Sequence, residues 1–389
     1  MSLHLEVVES LEALEAIGKA WEELDAQTYP RLPFSGPRWN LLWWKHFAET
    51  RTTVADQIHS FVLFEGEKLL AVAPMMLTER PAVGPLRTRH LQFFGADPNV
   101  TEIRGPCCRR DDEGRVMEAL LSHLESRPAQ WDWAGLGGFV ENGPAHQALS
   151  KRTGVHWGRQ VPDFLIQPGP DWEAYKTQLP RNVKESLRKC YASLKRDNLS
   201  YELQTAERPA DVAEALETFL RLHSARAQAP ITPRHADVFA PAPSRAFLKE
   251  LISRATEAGE AKVFTLMVEG EAVASRIGFV LDDNLYLYFT GYLPRMSEYS
   301  VMTTCTVEAI KWAITKGLKT INMSPGRDQS KTRWRPIEVP LIEAQWVSPS
   351  WRGPALHKFT RTMKQRVSAA AQAPGALGQL MRMVQRRRD

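Results

Sequence analysis

The sequence predicts an α/β protein with a mixed (α+β) sheet, built as two units of similar element order and closed by a basic helical tail. Three observations carry this. Residues 262–334 read as three strands, a loop, a helix and a fourth strand. The order helices, hairpin, strand, helix, strand in residues 11–136 repeats that of the later half. The stretch from Arg352 to Asp389 holds nine Lys or Arg and one acid.

The central stretch is the most legible. Residues 263–268 are branched and aromatic and end at Glu269-Gly270-Glu271, a hairpin signal. Residues 272–281 form a second strand, closed by Asp282-Asp283-Asn284. Residues 285–290 form a third, with Tyr286 and Tyr288 on alternate positions. A helix over 301–316 follows: Val307, Ile310 and Ile314 repeat at helical spacing and Gly317 is placed to cap it. A strand over 318–323 completes a βαβ unit, so it should run parallel to the third.

The first half reads in order as a helix over 11–26, with Leu11, Leu14, Ala16, Ile17, Trp21 and Leu24 inward. A second helix over 39–48 carries Trp39, Trp43, Trp44 and Phe47. Strands 58–64 and 68–77 make a hairpin at Glu65-Gly66-Glu67, then come strand 86–94, helix 114–126 and strand 131–136. Gly135-Leu136-Gly137-Gly138 reads as a loop, because no capped helix follows and Pro144 intervenes. The second half opens with a helix over 180–197. A helix over 211–223 follows, its C-terminal end closed by His223 and Arg226. A loop over 228–244 holds four prolines and suits an active-site cover, and a helix over 244–257 comes last. No residue-level repeat links the halves. The expected division is 1–160, 161–350 and a tail of 351–389.

At 389 residues, 43% hydrophobic and 24% charged, the chain can bury two cores. No apolar run approaches a membrane span, and the first 24 residues are too acidic for a signal peptide. The net charge of +5 is misleading: the tail carries +8, so the rest carries −3 and a global nucleic-acid reading fails. Only Cys107 and Cys108 of the four cysteines are neighbours, so no metal site and a reducing cytoplasm are expected. No P-loop, dinucleotide fingerprint or nucleophile elbow occurs.

Two groups stand out chemically. His223 either complements a helix dipole or acts as a general base, for which an ordinary pKa near 6.5 is suited. Arg181, Lys184, Arg188 and Lys195 share a helix face, either as a cationic wall for an anion or as a solvated surface. In the tail, Leu356, Phe359, Met363 and Val367 alternate with basic residues, and 377–388 is a second short basic helix. The first tail helix is expected to dock on the body, and the last dozen residues to lie on an anionic surface such as the inner membrane face.

The chain resembles the GNAT acyltransferases, specifically the CelD/BcsL-like or BioF2-like acetyltransferases, distant relatives of the FemAB aminoacyl transferases. The resemblance rests on a meander feeding a βαβ unit and on segments in the family's order. These are the Leu-His-x-x-Arg of Leu222 to Arg226, Tyr299-Ser300 before the helix, Gly326-Arg327-Asp328 after the strand, and Lys331 with Trp334. Val301-Met302 stand where the family has Pro-Gly, Asn322 where it often has an acid, and Ser330-Lys331 where it has Tyr-Lys.

The resemblance implies two fused GNAT-like units and acyl transfer from acetyl-CoA or another acyl-CoA, a cosubstrate, with no tightly bound cofactor. The acceptor is a small molecule or sugar, in polysaccharide or cell-envelope synthesis. It implies a splayed pair of strands with Phe289–Tyr292 against the thioester. Gly291, Tyr299, Ser300, Val301 and Met302 then hold the coenzyme. His223, Asp328 and Tyr292 act on protons: Tyr292 or Tyr288 protonates the leaving thiolate, and Asp328 orients or deprotonates the acceptor. Arg181, Arg188, Arg226, Lys331 and Trp334 bind substrate. Two alternatives stay open: aminoacyl transfer from aminoacyl-tRNA, the one case calling for nucleic acid, and an inactive GNAT-like binding protein.

Overall fold

A computed structural model describes residues 3–82, 85–96, 99–230 and 235–372, with the backbone alone for 363–372. Strands Ala261–Val268, Glu271–Leu281 and Asn284–Tyr292 form the expected antiparallel meander, and Tyr201–Ala206 adds an outer edge. The helix Val301–Thr315 then leads to Thr320–Asn322, which runs parallel to Asn284–Tyr292. Gly317 has φ +74, and its amide and that of Leu318 reach back to Ile314 and Ala313. Those two bonds satisfy carbonyls the helix end would leave open.

One sheet crosses both halves. The strand Ile337–Val347 lies between Val161–Ile166 and Trp133–Val140, antiparallel to each. Beyond it, Arg87–Phe93 pairs in parallel with Trp133–Val140 across the helix Glu113–Glu125, a second βαβ unit matching the first in order. Pro340 hid the joining strand from sequence, because proline removes a ladder donor. Here it sits opposite Pro162, so the two missing donors coincide.

Other differences have local causes. The long hairpin divides between two sheets. Val54–Ile58 pairs with Met75–Pro81 in the large sheet, while Ser60–Glu65 pairs with Lys68–Ala73 in a smaller one. The division falls where Pro74 lacks an N–H. The buried Ser60 hydroxyl accepts from the Met75 amide and donates to the Met75 carbonyl. The first helix breaks at Ile17 into Leu11–Ala16 and Gly18–Asp25. Gly135–Gly138 are part of the strand Trp133–Val140 rather than a loop, and Pro144 opens the helix Pro144–Ser150. A Cβ at Gly138 would stand 2.2 Å from the Arg104 carbonyl oxygen, which explains glycine there.

The halves share a core. Trp39 meets Phe247 and Tyr288 edge-on, at 5.2 and 5.9 Å between ring centres, and Phe34 meets Tyr286 at 5.3 Å. Arg31 and Arg38 both pair with Glu260 across the same seam. The tail helix Arg352–Gln372 docks through buried Leu356 and an Arg352–Asp132 bond of 2.9 Å. The expected second tail helix lies outside the described residues. No helix among the described residues is long and apolar enough to cross a membrane.

Candidate active site

The strand pair Asn284–Tyr292 and Thr320–Asn322 stays together for three residues, ending at Tyr286 opposite Asn322. The second strand stays with its other neighbour: Val161–Ile166 pairs antiparallel with it at Ile321 and Asn322, and beyond them Met323 N–H bonds to the Phe164 carbonyl and Gly326 N–H to that of Pro162. The first strand bends as well, with a register shift against Glu271–Leu281 in the Tyr288–Phe289 region. The two strands therefore splay, and a cavity of about 520 Å³ opens between them.

The helix Val301–Thr315 begins at this cavity, which Ser300, Val301, Met302 and Thr303 line. No side chain caps the helix start, so its first amides and dipole favour an anion there. Ser300 has φ +53, a left-handed conformation a serine holds at a cost. Ser300→Gly should therefore raise stability by about 1 kcal/mol, read as a shift in urea midpoint; no shift would show the turn to be unstrained.

Six cationic or basic groups face the cavity, one of them Arg333, which donates to the Ser186 hydroxyl at 2.8 Å. Arg276, 6% exposed in an apolar strand, gives one bond, Nη1 to the Thr306 hydroxyl at 3.3 Å, and its Nε has no partner. Burial pushes its pKa down to about 10. Arg226 donates to the Thr290 hydroxyl and contacts the His235 ring at 2.8 Å, and its Nε also lacks a partner. Lys331 donates to the Ser324 hydroxyl at 2.9 Å and to the Pro325 carbonyl at 2.5 Å, while burial depresses its pKa. His235 and His223 complete the set.

His223 is not at a helix end: its helix runs on to Gln228. The ring is buried against Phe219, Phe239 and Phe289. Its Nδ1 is 2.9 Å from the Thr290 carbonyl, an acceptor, so Nδ1 carries the proton. Burial lowers the ring's pKa, which leaves a neutral imidazole with its Nε2 lone pair unbonded, 3.9 Å from Asp237.

The acids are Asp328 and Glu102. Asp328 caps the short helix Gln329–Thr332, accepting from Ser330 N–H at 2.6 Å. Burial works to raise its pKa, but that bond and the charges of Lys331 and His235 hold it below the usual range. Glu102 comes from the first half and accepts from the Tyr286 hydroxyl at 2.6 Å. Asn322 is fully buried and donates to Asp163 at 2.6 Å, so an acid from the neighbouring strand stands beside it.

Of the residues singled out in sequence, His223, Arg226, Tyr292, Ser300, Val301, Met302, Asp328, Lys331 and Trp334 line this one cavity, as does Tyr288, buried and bonded to the Val100 carbonyl. Trp334 is 1% exposed, its indole N–H bonded to the Ser330 carbonyl. Tyr299 is outside the lining and donates to Asp197. Gly291 is outside it too: a Cβ there would meet the backbone of Leu222 and His223. Arg181 and Arg188 are exposed and away from the cavity, Arg181 paired with Glu185. The sequence reading missed Glu102, Arg276 and His235. A lone arginine inside an apolar strand was the available signal for Arg276; nothing local marks Glu102.

Residues 181–332 match the family model described as an acetyltransferase (GNAT) domain. The chain carries a GNAT acyltransferase domain. The splayed parallel pair and the helix opening on the cavity both lie within this GNAT segment. Among solved structures the chain is similar to FemX, with TM-score 0.58 and 10% identity over 92% of this chain and 99% of that one. It is also similar to the C-terminal DUF2156 domain of a putative lysylphosphatidylglycerol synthetase from Agrobacterium fabrum, with TM-score 0.50 and 11% identity over 90% and 97%. At such identities the likeness is one of fold, and it extends over both halves, beyond the GNAT segment. No curated protein matches the chain. No group of three or more His, Cys, Asp or Glu that could hold a metal occurs among the described residues.

Proposed function

We propose that the chain moves an acyl group from acyl-CoA to an amine or hydroxyl of a small, sugar-like acceptor, as in polysaccharide or cell-envelope synthesis. One observation carries the reading: the parallel pair parts after three residues, and the opened gap has an uncapped helix start at its wall. The coenzyme pyrophosphate suits the amides of Val301 and Met302, with Arg276 nearby as a buried counter-charge. The thioester then lies along the freed edge near Phe289 to Tyr292. Tyr292 is the acid for the departing thiolate. Lys331 and Arg226 hold the acceptor, with Asp328 orienting it. Residues 1–160 act as a first unit, 161–350 as the catalytic unit and 351–389 as a peripheral tail, joined by the strand Ile337–Val347.

Calorimetric titration with acetyl-CoA tests this. Micromolar binding is the expected result, on the order of −8 kcal/mol. Absence of binding overturns the reading. If tRNA instead binds with a steep salt dependence, the chemistry is aminoacyl transfer.

A further inference from the structure

The two halves meet at the vertex of the splay. Tyr286 is the last residue of the first strand still paired with its parallel neighbour. Its hydroxyl holds Oε2 of Glu102, which reaches across from the other half. Among the described residues Oε1 of Glu102 has no hydrogen-bond partner, and the residue lines the cavity. The groups that act on it are the cations Lys331 and Arg276, the acid Asp163 and the Tyr286 hydroxyl. A carboxylate oxygen without a partner, facing a cavity lined by cations, is free to meet a ligand.

We infer that Glu102 is the general base of the transfer, so that the first half completes the active site of the second. The inference rests on the acyl-transfer reading above. As the acceptor nitrogen or oxygen forms its bond to the thioester carbonyl carbon, its proton passes to Oε1. The tetrahedral adduct collapses, the carbon–sulfur bond breaks, and the thiolate leaves as the thiol with a proton from Tyr292. The proton on Glu102 then leaves to solvent, and one from solvent restores Tyr292.

The other groups are less suited. Asp328 is held in its ionised form by its own helix, so it is a weak base. His223 has its free nitrogen turned toward Asp237 among three phenyl rings. Burial pushes Glu102 up to about 7 against the pull of the Tyr286 hydrogen bond and Lys331, which poises it for proton transfer near neutral pH.

The test uses the full chain, acetyl-CoA, glucosamine as the acceptor probe, and thiol release as readout. Glu102→Gln should lower kcat about 100-fold or more while acetyl-CoA affinity by calorimetry stays unchanged. The rise of kcat with pH centred near 7 should vanish, and Glu102→Asp should restore part of both. Tyr286→Phe removes a donor to the carboxylate, so that rise should move to higher pH. Wild-type kcat with an unchanged pH limb in Glu102→Gln overturns this inference alone. If that variant does not fold, the Tyr286→Phe limb decides: a limb that stays in place overturns it. A wild-type chain that neither binds acetyl-CoA nor releases thiol overturns the acyl-CoA reading, and this inference with it.

Discussion

Arg276→Leu should weaken acetyl-CoA binding by roughly a hundredfold, about 3 kcal/mol, and leave the fold as stable as before or more so. The two effects move in opposite directions for one reason. Arg276 is a buried cation with one long hydrogen bond and an unpartnered Nε. Its acidic neighbour Glu102 is itself pushed toward the neutral form. The guanidinium is therefore under-compensated in the empty protein and fully engaged only when an anion enters. Its folded pKa lies below the unfolded one, so the cost to the fold is fully present at neutral pH. It is relieved only as pH rises from about 10 toward the unfolded value. Calorimetry and a urea titration on the same variant measure both quantities. Unchanged affinity would place the anion elsewhere, and a large stability loss would show that Arg276 is structural.

Gly291→Ala should destabilise the protein by about 3 kcal/mol or more, through crowding rather than lost chemistry. A Cβ there would stand 2.3 Å from the amide nitrogen of His223 and 2.6 Å from the carbonyl carbon of Leu222. Both are backbone atoms of the helix Pro209–Gln228, so neither can rotate aside. The helix must move off the strand, and the bond from His223 to Thr290 goes with it. Denaturant unfolding measures the loss. A change within about 0.5 kcal/mol would mean that the helix seats more loosely than the distances imply.

Residue periodicity was enough for the GNAT segment because its elements are neighbours in the chain. The meander turns at Glu269-Gly270 and Asp282-Asp283, the helix carries its own stripe and glycine cap, and the returning strand must be parallel. Gly291, expected at the coenzyme, instead meets the backbone of a helix some seventy residues earlier, which no local pattern shows. The Gly135–Gly138 run misled for a related reason: its glycines answer to His90, Glu343 and Arg104, not to a turn. The strands Val161–Ile166 and Ile337–Val347 carry prolines that argue against a central strand, and only their facing registers make both acceptable.

The same distinction runs through the site. By itself the sequence determined the mixed α/β class and the parallel pair, because each rests on local spacing, while His223, Arg226, Ser300, Asp328 and Lys331 were picked out through the family resemblance and are found lining one cavity. Tertiary structure alone decided that the parallel pair parts after Tyr286, that Arg276 is left without a full set of partners, and that Glu102 crosses from the other half to meet them. Those facts depend on which distant strand claims the Met323 and Gly326 amides and on how burial shifts a charge. Neither quantity is encoded within any single stretch of chain.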